Sequence, residues 1–247
     1  ISMKSISMLF TALLATVSVT AFADGSNVDI KELMQLQAAG TNSQQSAAIG
    51  NVKGKGTSNI KAEGIVQIAV SGNNNQQSMI IGNASGDGTS NANVKNVLQL
   101  QAAGAANKQT MDLGSVNGKG TSHMTANGVV QLQAAGSANQ QQMKMAAVNG
   151  DGKSGVNASE VIQLQATGAG NNQVMAMGNV NGTGQSDVTA KGVLQLQAAG
   201  AGNKQTMNVG NVTGSGKSRV HAQNILQLQA SGAALKQSLD IGNYTAN

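Results

Sequence analysis

Val193-Leu194-Gln195-Leu196-Gln197-Ala198-Ala199-Gly200 decides the reading of this chain, because close copies of it recur along the whole length. The closing glycine falls at Gly40, Gly72, Gly104, Gly136, Gly168, Gly200 and Gly232, a spacing of 32 residues each time. Working outward from these markers, segment 24–247 divides into seven equal units: 24–55, 56–87, 88–119, 120–151, 152–183, 184–215 and 216–247. Repeat arrays normally accept insertions in their loops. An array with none predicts that the loops as well as the strands lie over their counterparts in the next unit.

Seven copies act as an internal alignment. Glutamine is unchanged five residues before each marker (Gln35, Gln67, Gln99, Gln131, Gln163, Gln195, Gln227) and five after it (Gln45, Gln77, Gln109, Gln141, Gln173, Gln205, Gln237). Asparagine recurs at Asn75, Asn107, Asn139, Asn171 and Asn203, methionine at Met79, Met111, Met143, Met175 and Met207, and serine once in every unit from Ser26 to Ser218.

Within a unit the period is two, as in a β-strand. In Asn203–Val209 the odd-numbered residues repeat between copies while their neighbours vary among polar types, so this strand has one buried and one wet face. Residues 193–199 hardly vary at all, which predicts a middle strand covered on both faces. Each unit is therefore expected to hold three short strands, near 186–191, 193–199 and 203–211, with Gly-rich corners such as Asn181-Gly182-Thr183-Gly184 between units. The absence of proline suits strands that donate N–H groups to both neighbours. The fold class is all-β, a β-solenoid or cross-β stack of seven 32-residue rungs with about three short strands per rung.

Charge gives an independent test of one unit per rung. Residues 32 apart would then sit ~4.8 Å from each other, where like charges repel. Lys55–Asp87, Asp87–Lys119, Lys119–Asp151, Lys31–Glu63, Glu63–Lys95, Asp29–Lys61, Asp187–Arg219 and Asp112–Lys144 are opposite, and only Lys204–Lys236 is alike. Duplication by itself would copy a charge onto its like, so the alternation points to vertical stacking. In such a stack the Gln and Asn side chains are expected to hydrogen-bond their own copies, sparing buried amides a cost of ~1–3 kcal/mol each. The column Leu36, Ile68, Leu100, Leu132, Leu164, Leu196 and Leu228, beside the methionines, is expected to supply the apolar core.

Composition narrows function. The 247 residues carry 15 Lys+Arg against 10 Asp+Glu, two His, no Cys and no Trp, and the only aromatics are Phe10, Phe22 and Tyr244. Cysteine catalysis and thiolate metal sites are excluded, and His123 and His221, 98 residues apart, read as exposed strand positions. The chain is read as no enzyme, with no cofactor, metal, nucleic-acid or small-molecule partner; bases would find no aromatic platform to stack on. Lys4, the apolar run Met8–Val19 and the small-x-small site Ala21-Phe22-Ala23 read as an export signal over residues 1–23, with cleavage before Asp24. The remaining array shows no cap at either end, so rung seven is expected to continue onto rung one of another copy, placing His221 over Asp29. Leu235 and Tyr244 are the departures in the last unit.

Ala102-Ala103-Gly104-Ala105-Ala106-Asn107-Lys108-Gln109, with its copies at 134–141 and 198–205, resembles the AAGxxNxQ element of Fap-type bacterial amyloid repeats, and the Ser, Gln and Gly-x-x-Asn pattern is more loosely similar to curlin repeats. That resemblance implies a secreted homopolymer subunit of a functional-amyloid fibre, serving biofilm matrix and surface adhesion, with a nucleator and outer-membrane export machinery as partners. It places the protein in an extracellular fibre or at the cell surface after passage through the periplasm. The alternative is a monomeric β-solenoid adhesin or surface-binding protein.

Overall fold

A computed structural model describes residues 15–21, 26–38, 42, 44–70, 73–102, 104–134, 136–166, 168–198, 200–230 and 233–245. The markers Gly40, Gly72 and Gly232, the cleavage junction at residues 22–25 and the Tyr244 side chain fall outside what is described.

The chain is a β-solenoid. A middle turn consists of a long strand, Gln185–Gln197, a short one, Lys204–Val209, and a corner strand, Val212–Thr213. From Ser26 onward the strands pair in parallel with the residue 32 positions away: Gln131 with Gln163, Met143 with Met175, Val148 with Val180. The long strands form one sheet of seven levels. The short and corner strands form the second, joined in the first turn by the continuous strand Gln44–Lys53. Loops stack too: the Asn172 N–H donates to the Asn139 carbonyl at 2.9 Å and the Ala138 N–H to the Ala169 carbonyl at 2.8 Å. That is why no turn tolerates an insertion.

Two expectations about the middle strand need correction. The strands expected at 186–191 and 193–199 run as one, because the residue between them forms a bulge that six levels repeat; in the first level Ser26–Ile30 and Leu33–Ala38 are separate strands. Gly64, Asn96, Gly128, Glu160, Gly192 and Asn224 take φ between 54° and 69° at this position. Pairing resumes beyond it at the same offset, from Asn127↔Ser159 to Val129↔Val161. Since copies of a bulge superimpose, it bends the sheet without breaking the ladder. It also switches which parity faces inward: Ser186, Val188 and Ala190 are buried before it, Val193, Gln195 and Gln197 after it.

The second correction concerns the leucines. Only one face of residues 193–197 is buried; Leu194 and Leu196 point outward and are partly exposed, as are their copies in the middle of the stack, while Met34, Leu36, Leu226 and Leu228 at its ends are exposed. The Leu36–Leu228 column therefore lies outside the core. The interior is instead built from Met79, Met111, Met143, Met175 and Met207 and the adjoining column Ile49, Ile81, Leu113, Met145, Met177 and Val209. Small residues face them from the long strands, among them Ala126, Val129, Ala158 and Val161. Flexible thioethers fill an interior that contains no described aromatic.

Ala15–Ala21, within the stretch read as an export signal, forms a strand parallel to Gln44–Lys53. It lies on the first-level edge of the second sheet.

Candidate assembly interface

The fourteen invariant glutamines form two unbroken ladders. In the first, each Nε2 donates to Oε1 of the glutamine one level below, from Gln67 to Gln35 (3.0 Å) through Gln99, Gln131, Gln163 and Gln195 to Gln227 on Gln195 (3.0 Å). In the second the same bond runs from Gln77 on Gln45 (2.9 Å) through Gln109, Gln141, Gln173 and Gln205 to Gln237 on Gln205 (3.2 Å).

Each amide has a second N–H, which crosses the core throughout the first ladder and from Gln45, Gln77 and Gln141 in the second. Gln131 Nε2 reaches the Gln142 carbonyl of the facing sheet at 3.3 Å, and Gln141 Nε2 reaches the Leu164 carbonyl in return at 3.3 Å. One side chain thus ties levels vertically and sheets horizontally. A shorter amide cannot span the core, and a leucine has no donor, so glutamine is the residue type that the position demands.

Asparagine works differently from the expectation of a side-chain ladder. Oδ1 of Asn107, Asn139, Asn171 and Asn203 accepts the backbone N–H of the asparagine one level below (Asn75, Asn107, Asn139, Asn171) at 2.8 to 2.9 Å. Asn139, Asn171 and Asn203 then donate Nδ2 to the carbonyls of Gly104, Gly136 and Gly168 at 3.1 to 3.3 Å. The column clamps backbone to backbone at the marker turn. The glycines there answer to crowding: a Cβ on Gly136, Gly168 or Gly200 would lie 1.5 to 1.8 Å from the carbonyl oxygen of the marker below.

Two features escaped the sequence reading. A third buried ladder runs through Gln101, Gln133, Gln165, Gln197 and Gln229. It fails at its lower end, where Ala69 stands, and Gln101 Nε2 is buried with no partner. The second Gln of each Leu-Gln-Leu-Gln string was the available signal, hidden because one unit breaks it. A corner column also ties turns together, with the Asn83 N–H on Asn51 Oδ1 (2.8 Å) and the Asn211 N–H on Asn179 Oδ1 (3.0 Å). The serine column bridges turns: Ser122 Oγ donates to the Gly82 carbonyl (2.8 Å), and Ser154 Oγ to that of Gly114 (2.6 Å).

Opposite charges meet in register at Asp29↔Lys61, Glu63↔Lys95, Asp112↔Lys144 and Asp187↔Arg219, and the like pair Lys204↔Lys236 is also in register. Burial lifts the Asp112 carboxyl above the ordinary carboxylate range, partly offset by a hydrogen bond from the Ser115 hydroxyl and by Lys144. His123 and His221 are exposed on separate levels.

The last level differs from those below. Leu239 and Ile241 continue the Met and Ile/Leu core columns, yet they are 47% and 56% exposed, where Met207 and Val209 are at 0%. Among the described residues, no strand pairs with the outer edges of Lys217–Gln229 and Lys236–Ile241. Oε1 of Gln227 and Gln237 receives no donor there among the described residues. At the first level, among the described residues, Gln35 Nε2 donates only across to the Ser46 carbonyl and Gln45 Nε2 only to that of Ile68, leaving each with an unused N–H. The stack is polar, with acceptors at one end and donors at the other. Comparison of the chain with protein-family models, with curated proteins and with solved structures finds no match to any of them.

Proposed function

We propose that this protein is a structural subunit that adds head to tail into an extracellular fibre of the functional-amyloid class. The observation that carries the reading is the complementarity of the terminal levels. The last level offers unpaired strand edges, an open core and Gln acceptors, and the first level offers the matching Gln donors at the same offsets. A second copy would continue both invariant glutamine ladders without change of register, whereas the asparagine clamp stops at the junction, where Leu235 of one copy faces Ser43 of the next. The composition and the Fap-like AAGxxNxQ strings support export and a role in biofilm matrix and adhesion. The strand Ala15–Ala21 covers the first-level edge of the second sheet while the leader is attached, so cleavage before Asp24 would free that edge for elongation.

The test is incubation of the protein beginning at Asp24, followed by electron microscopy and fibre diffraction. The proposal expects filaments many subunits long with a meridional reflection near ~4.8 Å. A monomer of fixed length at every concentration contradicts it and favours a solitary binding solenoid.

A further inference from the structure

The outward face of the long-strand sheet, beyond the bulge, has a composition unlike the rest of the surface. Its three columns run vertically through Leu194, Leu196 and Ala198, and at all seven levels they hold only Met, Val, Leu, Ile or Ala. Leu100, Leu132, Leu164 and Leu196 are partly exposed in mid-stack, and at the two ends the face is fully open, Leu36 at 48% and Leu228 at 47% exposed. The outward columns of the other sheet show what free surface looks like here: the position of Thr206 holds Ser, Thr, Gln and Val, and that of Asn208 holds Ile, Asp, Lys, Ala and Asn. One face drifts freely and the other never admits a charge. The fold leaves the second uncovered, and a flat apolar surface of this extent is unusual on a solitary protein.

We infer that this face pairs with the same face of a second copy, the two solenoids lying side by side and parallel. Seven levels at ~4.8 Å and three columns two residues apart give a surface of ~34 Å by ~18 Å, or about 600 Å² on each copy. A pair then buries about 1,200 Å², the lower end of the range for specific interfaces. Equal strand spacing lets the side chains of the two faces interdigitate at every level. A two-fold axis parallel to the stack sets the Leu196 column against its own copy and the bulky Leu194 column against the small Ala198 column, so large meets small on both sides. The antiparallel alternative would set Leu194 against Leu194 and leave a gap between the alanines. No charged residue of these columns is desolvated, because there is none. The pairing does not depend on head-to-tail growth; where fibres form, it makes each one a doublet.

The chain contains no cysteine, which makes single-cysteine variants of the full chain clean reporters. Leu164→Cys, one level above the centre of the stack, is treated with a short bis-maleimide, with Thr110→Cys on the wet sheet as control. Parallel pairing predicts efficient covalent dimers for Leu164→Cys and at least tenfold fewer for Thr110→Cys. Equal yields, or none from Leu164→Cys, overturn it. The double variant Leu132→Lys/Leu164→Lys, its fold checked by circular dichroism, is predicted to sediment as single solenoids and to grow filaments of half the width if filaments grow. Unchanged width or unchanged dimer mass with the fold intact also overturns the pairing, whereas loss of filaments from the wild-type chain with dimers retained speaks against head-to-tail growth alone.

Discussion

At the scale of the residue, the buried amides carry the account. Gln131 receives a bond from Gln163, gives one to Gln99 and gives another across the core to Gln142. Gln131→Ala leaves Gln99 Oε1 without its ladder donor and Gln163 Nε2 without its ladder acceptor, and each orphan costs ~1–3 kcal/mol. Thermal or denaturant unfolding is expected to show a loss of about 2–5 kcal/mol for Gln131→Ala, against less than about 0.5 kcal/mol for Lys108→Ala on the exposed face. The reverse experiment exists in the natural sequence. Ala69 interrupts the third ladder and orphans Gln101 Nε2, so Ala69→Gln is expected to raise stability by about 1–2 kcal/mol in the same measurement. The two invariant glutamine columns were legible because no copy departs from them. The third was missed because one copy does, and the cross-core bonds were invisible because nothing in a linear pattern says how far apart two sheets lie.

At the scale of the element, the bulge explains the main misreading of the sequence. Constancy at residues 193–199 predicts burial on both faces, but constancy reports only that a position is constrained, and the outward leucines are constrained while only partly buried by their own chain. The break near residue 192 was correctly located; that the strand hydrogen-bonds through it follows from stacking identical bulges, which only the register displays. Glu160 holds the left-handed conformation that Gly or Asn holds at five other levels, at φ 55° and exposed to solvent. Glu160→Gly is expected to stabilise the fold by about 1 kcal/mol, read from the midpoint of unfolding. On the second sheet, burial makes the folded state hold the Asp112 proton more tightly than the unfolded chain does. Its contribution is therefore complete below the ordinary carboxylate range and is lost as pH climbs from that range through the raised value. Asp112→Asn removes this loss, so a pH series of unfolding curves is expected to show wild type and variant alike in acid and the variant more stable at neutral pH.

At the scale of the whole molecule, the 32-residue period and vertical stacking were legible, because an insertion-free period and alternating charges point to one arrangement. The exposure of the outer leucine face and the strand formed by Ala15–Ala21 were not legible, since both depend on surfaces and edges that exist only once the stack has formed. In the proposed head-to-tail growth that strand occupies the edge that must elongate, so the chain with residues 1–23 retained is expected to elongate at least tenfold more slowly than the chain beginning at Asp24, followed by light scattering. The central claim is that each side chain lies over its own copy one level away, within the molecule and across its junctions. A cryo-electron microscopy map of the assembled protein measures this directly. Gln99 and Gln131 are predicted to superimpose along the axis at a separation of ~4.8 Å, with Gln227 at the same distance from Gln35 of the next copy. A separation near twice that value, or density in which Gln99 and Gln131 lie in different columns, would contradict the account.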